Sequence, residues 1–188
     1  QQFKCVVCDI DSMPKSHAKA TLPLAARSFN SVVIIDVMDV TLERLESPPI
    51  KIQILVAVDA FTSYGLGWII DSLTSRELLS SLVNGWFSVF GSPRRIYSDG
   101  AKSLVSEEWH DAMVRWGVVA TSSAAQAPWQ HGKVDAYIRR VRRFIRAVWR
   151  TLAPWPDVTP QECVSLTFAG RNEMDQITEG VTPGQAAL

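Results

Sequence analysis

The stretch SVVIIDVMDV, residues 31–40, constrains this chain more than any other. Val32, Val33, Ile34 and Ile35 form an unbroken β-branched run, and successive strand residues point to opposite faces of a sheet. Such a run suits a central strand buried on both faces. It leads directly into carboxylates, first Asp36 and then Asp39.

The other elements follow in order. KIQILVAVDAFTSYGLGWII (51–70) reads as a hairpin with strands near 51–58 and 64–70, set off from the first strand by the paired prolines of TLERLESPPI. Thr74 and Glu77 form a capping-box pattern ahead of Leu78, Leu79, Leu82, Val83 and Trp86, and Gly91 with Pro93 ends that helix. RRIYSDG (94–100) is a short strand closed by an Asp-Gly turn. A second helix is expected from Ser106, as N-cap, to Trp116, with Gly117 as its stop. VVATSS makes a fifth strand and AAQAPWQHG a loop. An arginine-rich helix runs from there to Pro154 and Pro156, and Thr159–Pro160 with Glu162 opens the last helix. The fold class is therefore α/β. An antiparallel meander is followed by crossover strands, giving a five-stranded mixed sheet flanked by helices. Residues 1–30, with Pro14 and Pro23, read as an irregular lead-in, and 31–188 as the domain.

The 188 residues suffice for one domain with a proper core, and 47% hydrophobic with 20% charged residues is ordinary for a globular chain. No apolar run approaches the ~20 residues of a membrane-spanning helix, so no membrane partner is expected. QQFKCVVCDI lacks the pattern of a secretory leader. The three cysteines, Cys5, Cys8 and Cys163, are an odd number, which argues against a disulfide framework and for a reducing compartment.

The formal net charge is zero, but the charge is unevenly placed. Between 131 and 150 stand Lys133, Arg139, Arg140, Arg142, Arg143, Arg146 and Arg150 against Asp135 alone. A basic face on a neutral protein is a local device whose natural partner is a polyanion. Val134, Ile138, Val141, Ile145, Val148 and Leu152 recur at helical spacing as a buried stripe. On a neighbouring stripe Asp135, Arg139, Arg142 and Arg146 fall in line, with no interleaved glutamate to neutralise them.

Three aspartates sit at element boundaries: Asp36 on the first strand, Asp99 at the end of the fourth, and Asp135 near the start of the long helix. Singly, each has an ordinary explanation as a strand-end turn, an Asp-Gly turn or a helix-dipole partner. If the first and fourth strands are neighbours, however, Asp36 and Asp99 stand side by side and the helix can lower Asp135 towards them. Carboxylates so gathered repel unless a cation shares the site, and their oxygens suit Mg²⁺ or Mn²⁺.

At this point the chain resembles the catalytic cores of retroviral and LTR-retrotransposon (Ty3/gypsy-like) integrases, members of the DDE superfamily. Asp36 ends the VVII run, Asp99 lies in an SDG setting, and 35 residues intervene before Asp135 in GKVDA at the head of the basic helix. ILVAVDAFTSYGLGW, FGSPRRIYSDGAKSLVSEEW and RNEMDQITEGVTPGQAAL match further segments in the same order, so the resemblance spans roughly 31–188. It implies a ribonuclease-H-like fold, two Mg²⁺ or Mn²⁺ ions held by Asp36, Asp99 and Asp135, and 3′-end processing and strand transfer of retroelement DNA into target DNA. It further implies homo-oligomers working in the nucleus of a host cell. Asp59 matches a recurrent position that is not a metal ligand, so a structural role is expected. DNA contacts are expected from Gln130, His131, Lys133, Arg139, Arg142 and Arg146, with Gln126 and Trp129 beside them; His131 reads equally as a polar residue of the helix N-terminus, and Trp129 equally as a core residue.

The family carries Glu where this chain has Asp135, whose carboxylate reaches about 1.5 Å less far; mariner-type transposases use three aspartates. A catalytically impaired DNA-binding or dimerisation module is the alternative. An ordinary ribonuclease H shares the fold but fits the arginine helix less well. Cys5 and Cys8 have zinc-site spacing without the His pair that precedes them in integrases. Residues 1–30 therefore read as the remnant of an N-terminal zinc-binding module, expected to bind nothing tightly.

Overall fold

The computed structural model describes residues 26–44, 47–99, 101–122, 128–152, 154–155, 157–175 and 180–187. Cys5 and Cys8 lie outside them. Five strands form one sheet in the order β3-β2-β1-β4-β5. They are β1 (Val32–Arg44), β2 (Ser47–Asp59), β3 (Gly65–Ile70), β4 (Arg95–Ser98) and β5 (Val119–Ser122). β1–β2 and β2–β3 pair antiparallel, whereas β1–β4 and β4–β5 pair parallel. This is the five-stranded mixed sheet of the ribonuclease-H-like fold, and its centre is the β-branched run.

β1 is longer than expected. It continues through Asp36 and Asp39 to Arg44 because β2 pairs with it from Val33↔Asp59 to Arg44↔Ser47. The prolines fall inside the hairpin, at 48 and 49, where the register shifts between Leu42 and Arg44. Proline donates no ladder hydrogen bond and is tolerated near such an irregularity.

The helices are α1 (Ser75–Leu82), α2 (Glu107–Arg115), α3 (Pro128–Thr151), α4 (Pro160–Met174) and α5 (Pro183–Ala187). α1 runs on through a π-helical turn, Val83–Phe87, and a last α turn, Ser88–Phe90. Thr74 and Ser106 cap α1 and α2 as their sequences predict. Thr159 and Glu162 form a complete capping box on α4, and its hydrogen bonds hold the Glu162 carboxyl below the usual range. The loop expected over AAQAPWQHG is shorter, since α3 begins at Pro128. A proline at the first helical position loses no hydrogen bond and already has the helical φ. The side chains of α3 are described from Asp135 onward.

Two cores cover the two faces of the sheet. Val33, Ile35 and Ile96 pack with Leu78, Leu82 and Trp86 of the α1 segment and Trp109 and Met113 of α2. Met38, Val40, Leu42, Ile54 and Val56 pack with Ile138, Val141, Ile145 and Trp149 of α3 and Val164 and Phe168 of α4. Trp149 joins the buried stripe of α3, while Val148 and Leu152 are only partly buried against it. No helix among the described residues is long and apolar enough to cross a membrane.

Candidate metal and nucleic-acid site

The register of the two central parallel strands brings two of the predicted aspartates together. β1 and β4 pair from Val32↔Arg95 to Ile35↔Ser98, so the next residues, Asp36 and Asp99, leave the pairing side by side. Adjacent strands lie only about 4.8 Å apart. Alternation also puts both on one face. Asp36 is in phase with Met38, Val40 and Leu42, which pack under α3. Asp99 is in phase with Arg95 and Tyr97, and opposite in phase to Ile96, which packs on the α1 side. Asp36 is half-buried, and its Oδ1 accepts from the Val37 backbone N–H at 2.7 Å. Asp99 is exposed, and its Oδ1 accepts from the Ala101 N–H at 3.2 Å.

α3 packs along the same face of β1. At its far end the Arg44 guanidinium lies 3.8 Å from the Trp149 ring centroid and donates to the Leu152 carbonyl at 3.3 Å. From Trp149 back to Asp135 is about 21 Å of helix, and from Arg44 back to Asp36 about 26 Å of strand. Helix and strand run the same way, so Asp135 lies near the level of Asp36. It is exposed. Among the described residues no three His, Cys, Asp or Glu side chains are gathered closely enough to hold a metal ion.

The rest of α3 sorts by flank. Tyr137 and Phe144 face α4, where the Arg171 guanidinium stands 4.6 and 5.6 Å from their ring centroids. The opposite flank therefore looks towards β4 and β5, and it carries Asp135, Arg139, Arg142 and Arg146 at the expected helical steps. Arg139 and Arg146 are exposed and Arg142 is half-buried. Arg150 is turned back to β1, 3.6 Å from Glu43, in an exposed ion pair. Gln130 and His131 belong, with Lys133, to the first turns of α3 rather than to the expected loop. Their side chains, and those of Gln126 and Trp129, lie outside the described residues.

The remaining acids separate cleanly from this face. Asp39 pairs with Gln53 across the β1–β2 hairpin at 3.0 Å. Asp59 is fully buried and accepts from the N–H groups of Asn30 (2.9 Å), Phe61 (3.1 Å) and Thr62 (2.7 Å) and from the Thr62 hydroxyl (2.8 Å). It organises the turn after β2, as the sequence led us to expect. Cys163 is buried, with its thiol pushed up to about 11 by burial and its Sγ 3.5 Å from the Ile145 carbonyl, an inert core residue. Two amides on α4 have roles that sequence reasoning did not assign. Gln161 accepts from the Ile69 N–H, and Asn172 both donates to and accepts from the Gly65 backbone, each at 2.9 Å. Together they close the outer edge of β3.

No protein-family model matches the chain. Among solved structures it is similar to the HTLV-2 integrase catalytic core domain in complex with magnesium, dimeric form (TM-score 0.69, 17% identity, covering 86% of this chain and 99% of that one). It is similar also to a chain of the simian T-cell lymphotropic virus intasome in complex with PP2A regulatory subunit B56 gamma (TM-score 0.70, 18% identity, 85% of this chain and 55% of that one). A third is the BIV integrase catalytic core domain (TM-score 0.66, 15% identity, 83% and 92%). At such identities the likeness establishes the fold.

Proposed function

We propose that the chain is an integrase catalytic core, a polynucleotidyl transferase that trims the 3′ ends of retroelement DNA and joins them to target DNA. The observation that carries this reading is the β1–β4 register, which sets Asp36 beside Asp99 on the face over which α3 carries Asp135. The donors are carboxylate oxygens alone, a set that suits Mg²⁺ or Mn²⁺. Asp36 and Asp99 would hold one ion, and Asp36 and Asp135 a second. Bound there, two divalent ions supply Lewis-acid stabilisation of the charge that develops on the attacking and leaving oxygens. The magnesium complex of the similar HTLV-2 core supports this choice of ion. The α3 arginines hold phosphates beside the carboxylates and so fix the strand over them. Water is the nucleophile in trimming and the freed 3′-hydroxyl in joining, so no side chain has to form a covalent intermediate. The dimeric core and the intasome among the similar structures support a homo-oligomer engaged with DNA. The reaction belongs in the nucleus of the host cell.

A second reading, a DNA-binding or dimerisation module with impaired chemistry, is favoured by Asp135. Its carboxylate is exposed and one methylene shorter than glutamate, and ~1 Å of misplacement can cost roughly 10²-fold in rate. The deciding experiment is strand cutting on a pre-formed branched DNA with Mn²⁺, comparing the chain with Asp36→Asn and Asp135→Glu. Cutting by the chain that Asp36→Asn abolishes supports the integrase reading with three aspartates. Cutting by Asp135→Glu alone means a site built but one methylene short. Salt-sensitive binding by all three without cutting leaves the module.

A further inference from the structure

At the other end of β4 lies a cavity of about 330 Å³ lined by Arg27, Ser28, Ser31, Val32, Arg94, Arg95 and Val119. Three arginines and two serines line it, with no carboxylate among the lining residues. Among the described residues none of the three arginines is ion-paired, whereas Arg76, Arg150 and Arg171 are. Uncompensated cations converging on a concave surface attract an anion.

The cavity shares a face with the carboxylates. Val32, Arg95 and Val119 stand opposite one another across β1, β4 and β5. Val32 is in phase with Asp36, and Arg95 with Asp99, four residues further along each strand. That separation is about 13 Å. The helices leave this part of the sheet open, since α3 covers β1 and α4 covers β3, and Val119 is 57% exposed. The α3 arginine row extends from Asp135 in the opposite direction, towards the Arg44 end of β1. The carboxylates thus have guanidinium groups on both sides along one open face.

We propose that this cavity binds a backbone phosphate of a nucleic-acid strand that crosses the carboxylate pair and runs on over β4 and β5, away from the α3 arginines. The inference deepens the polynucleotide reading above and rests on it. The 13 Å span corresponds to about four nucleotides at ~3.4 Å of axial rise each. The Ser28 hydroxyl adds a neutral donor that fits a phosphate oxygen, whereas the Ser31 hydroxyl already donates to the Ser28 carbonyl at 2.6 Å.

The test is the salt dependence of binding to a labelled DNA duplex, followed by fluorescence anisotropy in Ca²⁺. The full chain is compared with Arg27→Gln/Arg95→Gln and with Arg76→Gln/Arg115→Gln, an equal loss of charge on the α1–α2 side. The cavity pair is expected to bind more weakly and to lower the slope of log K against log[salt] by about 1, the share of one phosphate, with an unchanged melting temperature; the control pair leaves the slope alone. Should the cavity pair lower the melting temperature, the exposed Arg27→Gln by itself is expected to lower the slope by a part of that, about 0.5. Equal slopes for both pairs overturn the proposal. So does saturable binding of inorganic phosphate that Arg95→Gln removes while the DNA slope stays unchanged, because the site then takes a free anion. Cutting that survives Asp36→Asn, alongside a lowered slope in the cavity pair, defeats the catalytic reading and leaves the phosphate site standing. Cutting abolished by Asp36→Asn with wild-type slopes in the cavity pair does the reverse.

Discussion

The side-chain amide of Asn172, on α4, closes a two-way hydrogen-bond pair with the backbone of Gly65 at the start of β3, 2.9 Å in each direction. Asn172 is buried, so neither Gly65 group can turn to water instead. We predict that Asn172→Ala lowers unfolding stability by about 2–3 kcal/mol, by stranding a buried donor and acceptor together. Urea denaturation measures it, and a midpoint within error of the parent would contradict the role.

Asp59 and Asp36 should part company when each is removed. Asp59→Ala strands the buried Thr62 donors and the part-buried N–H groups of Asn30 and Phe61, and is expected to cost about 2–3 kcal/mol. Asp36→Asn relieves repulsion with Asp99 and is expected to leave the denaturation midpoint unchanged or raised while abolishing metal-dependent cutting. A large destabilisation by Asp36→Asn would make that residue structural.

Two helical glycines should respond to alanine with opposite signs. A Cβ on Gly85, in the π-helical turn, would stand 2.1 Å from Trp68 Cε2, so Gly85→Ala should cost about 1–3 kcal/mol through overpacking. A Cβ on Gly170, in α4, meets nothing within 4 Å, so Gly170→Ala should add about 0.5–1 kcal/mol by helix propensity. Paired thermal melts test both signs.

Tyr137 predicts an alkaline weakness. Burial pushes its hydroxyl from 10.0 up to about 12, with the nearby Arg171 charge opposing only part of the shift. The folded state therefore keeps the proton that the unfolded chain has begun to lose. Its contribution is fully present below pH ~10 and falls as pH rises towards 12. Tyr137→Phe should flatten the fall in denaturation midpoint across that window. If the variant falls as steeply as the parent, other groups carry the alkaline loss.

Much of this was legible along the chain because it depends on local chemistry. The β-branched run 32–35 had to be central, since its apolar groups point both ways. Ser106, Thr159 and Gly117 marked helix ends because capping hydrogen bonds and a positive φ involve only a turn or so of backbone. The stripe Asp135–Arg139–Arg142–Arg146 was readable from helical geometry alone. The start of α3 was misplaced because Pro128 serves as both a loop residue and a first helical residue.

What the tertiary structure decided is which distant residues share a face. Whether Asp36 meets Asp99 depends on β1 and β4 pairing in parallel at one register, and a slip of a single residue would send one carboxylate to the opposite side. The same register carries Arg95 to the open cavity beside Arg27, two arginines 68 positions apart that no local pattern connects. Propensity, capping and helical periodicity are properties of a few consecutive residues, so the sequence determined the elements by itself. Strand register and the uncovered half of a sheet arise only when elements far apart in the chain pack together, and there the sequence alone was silent.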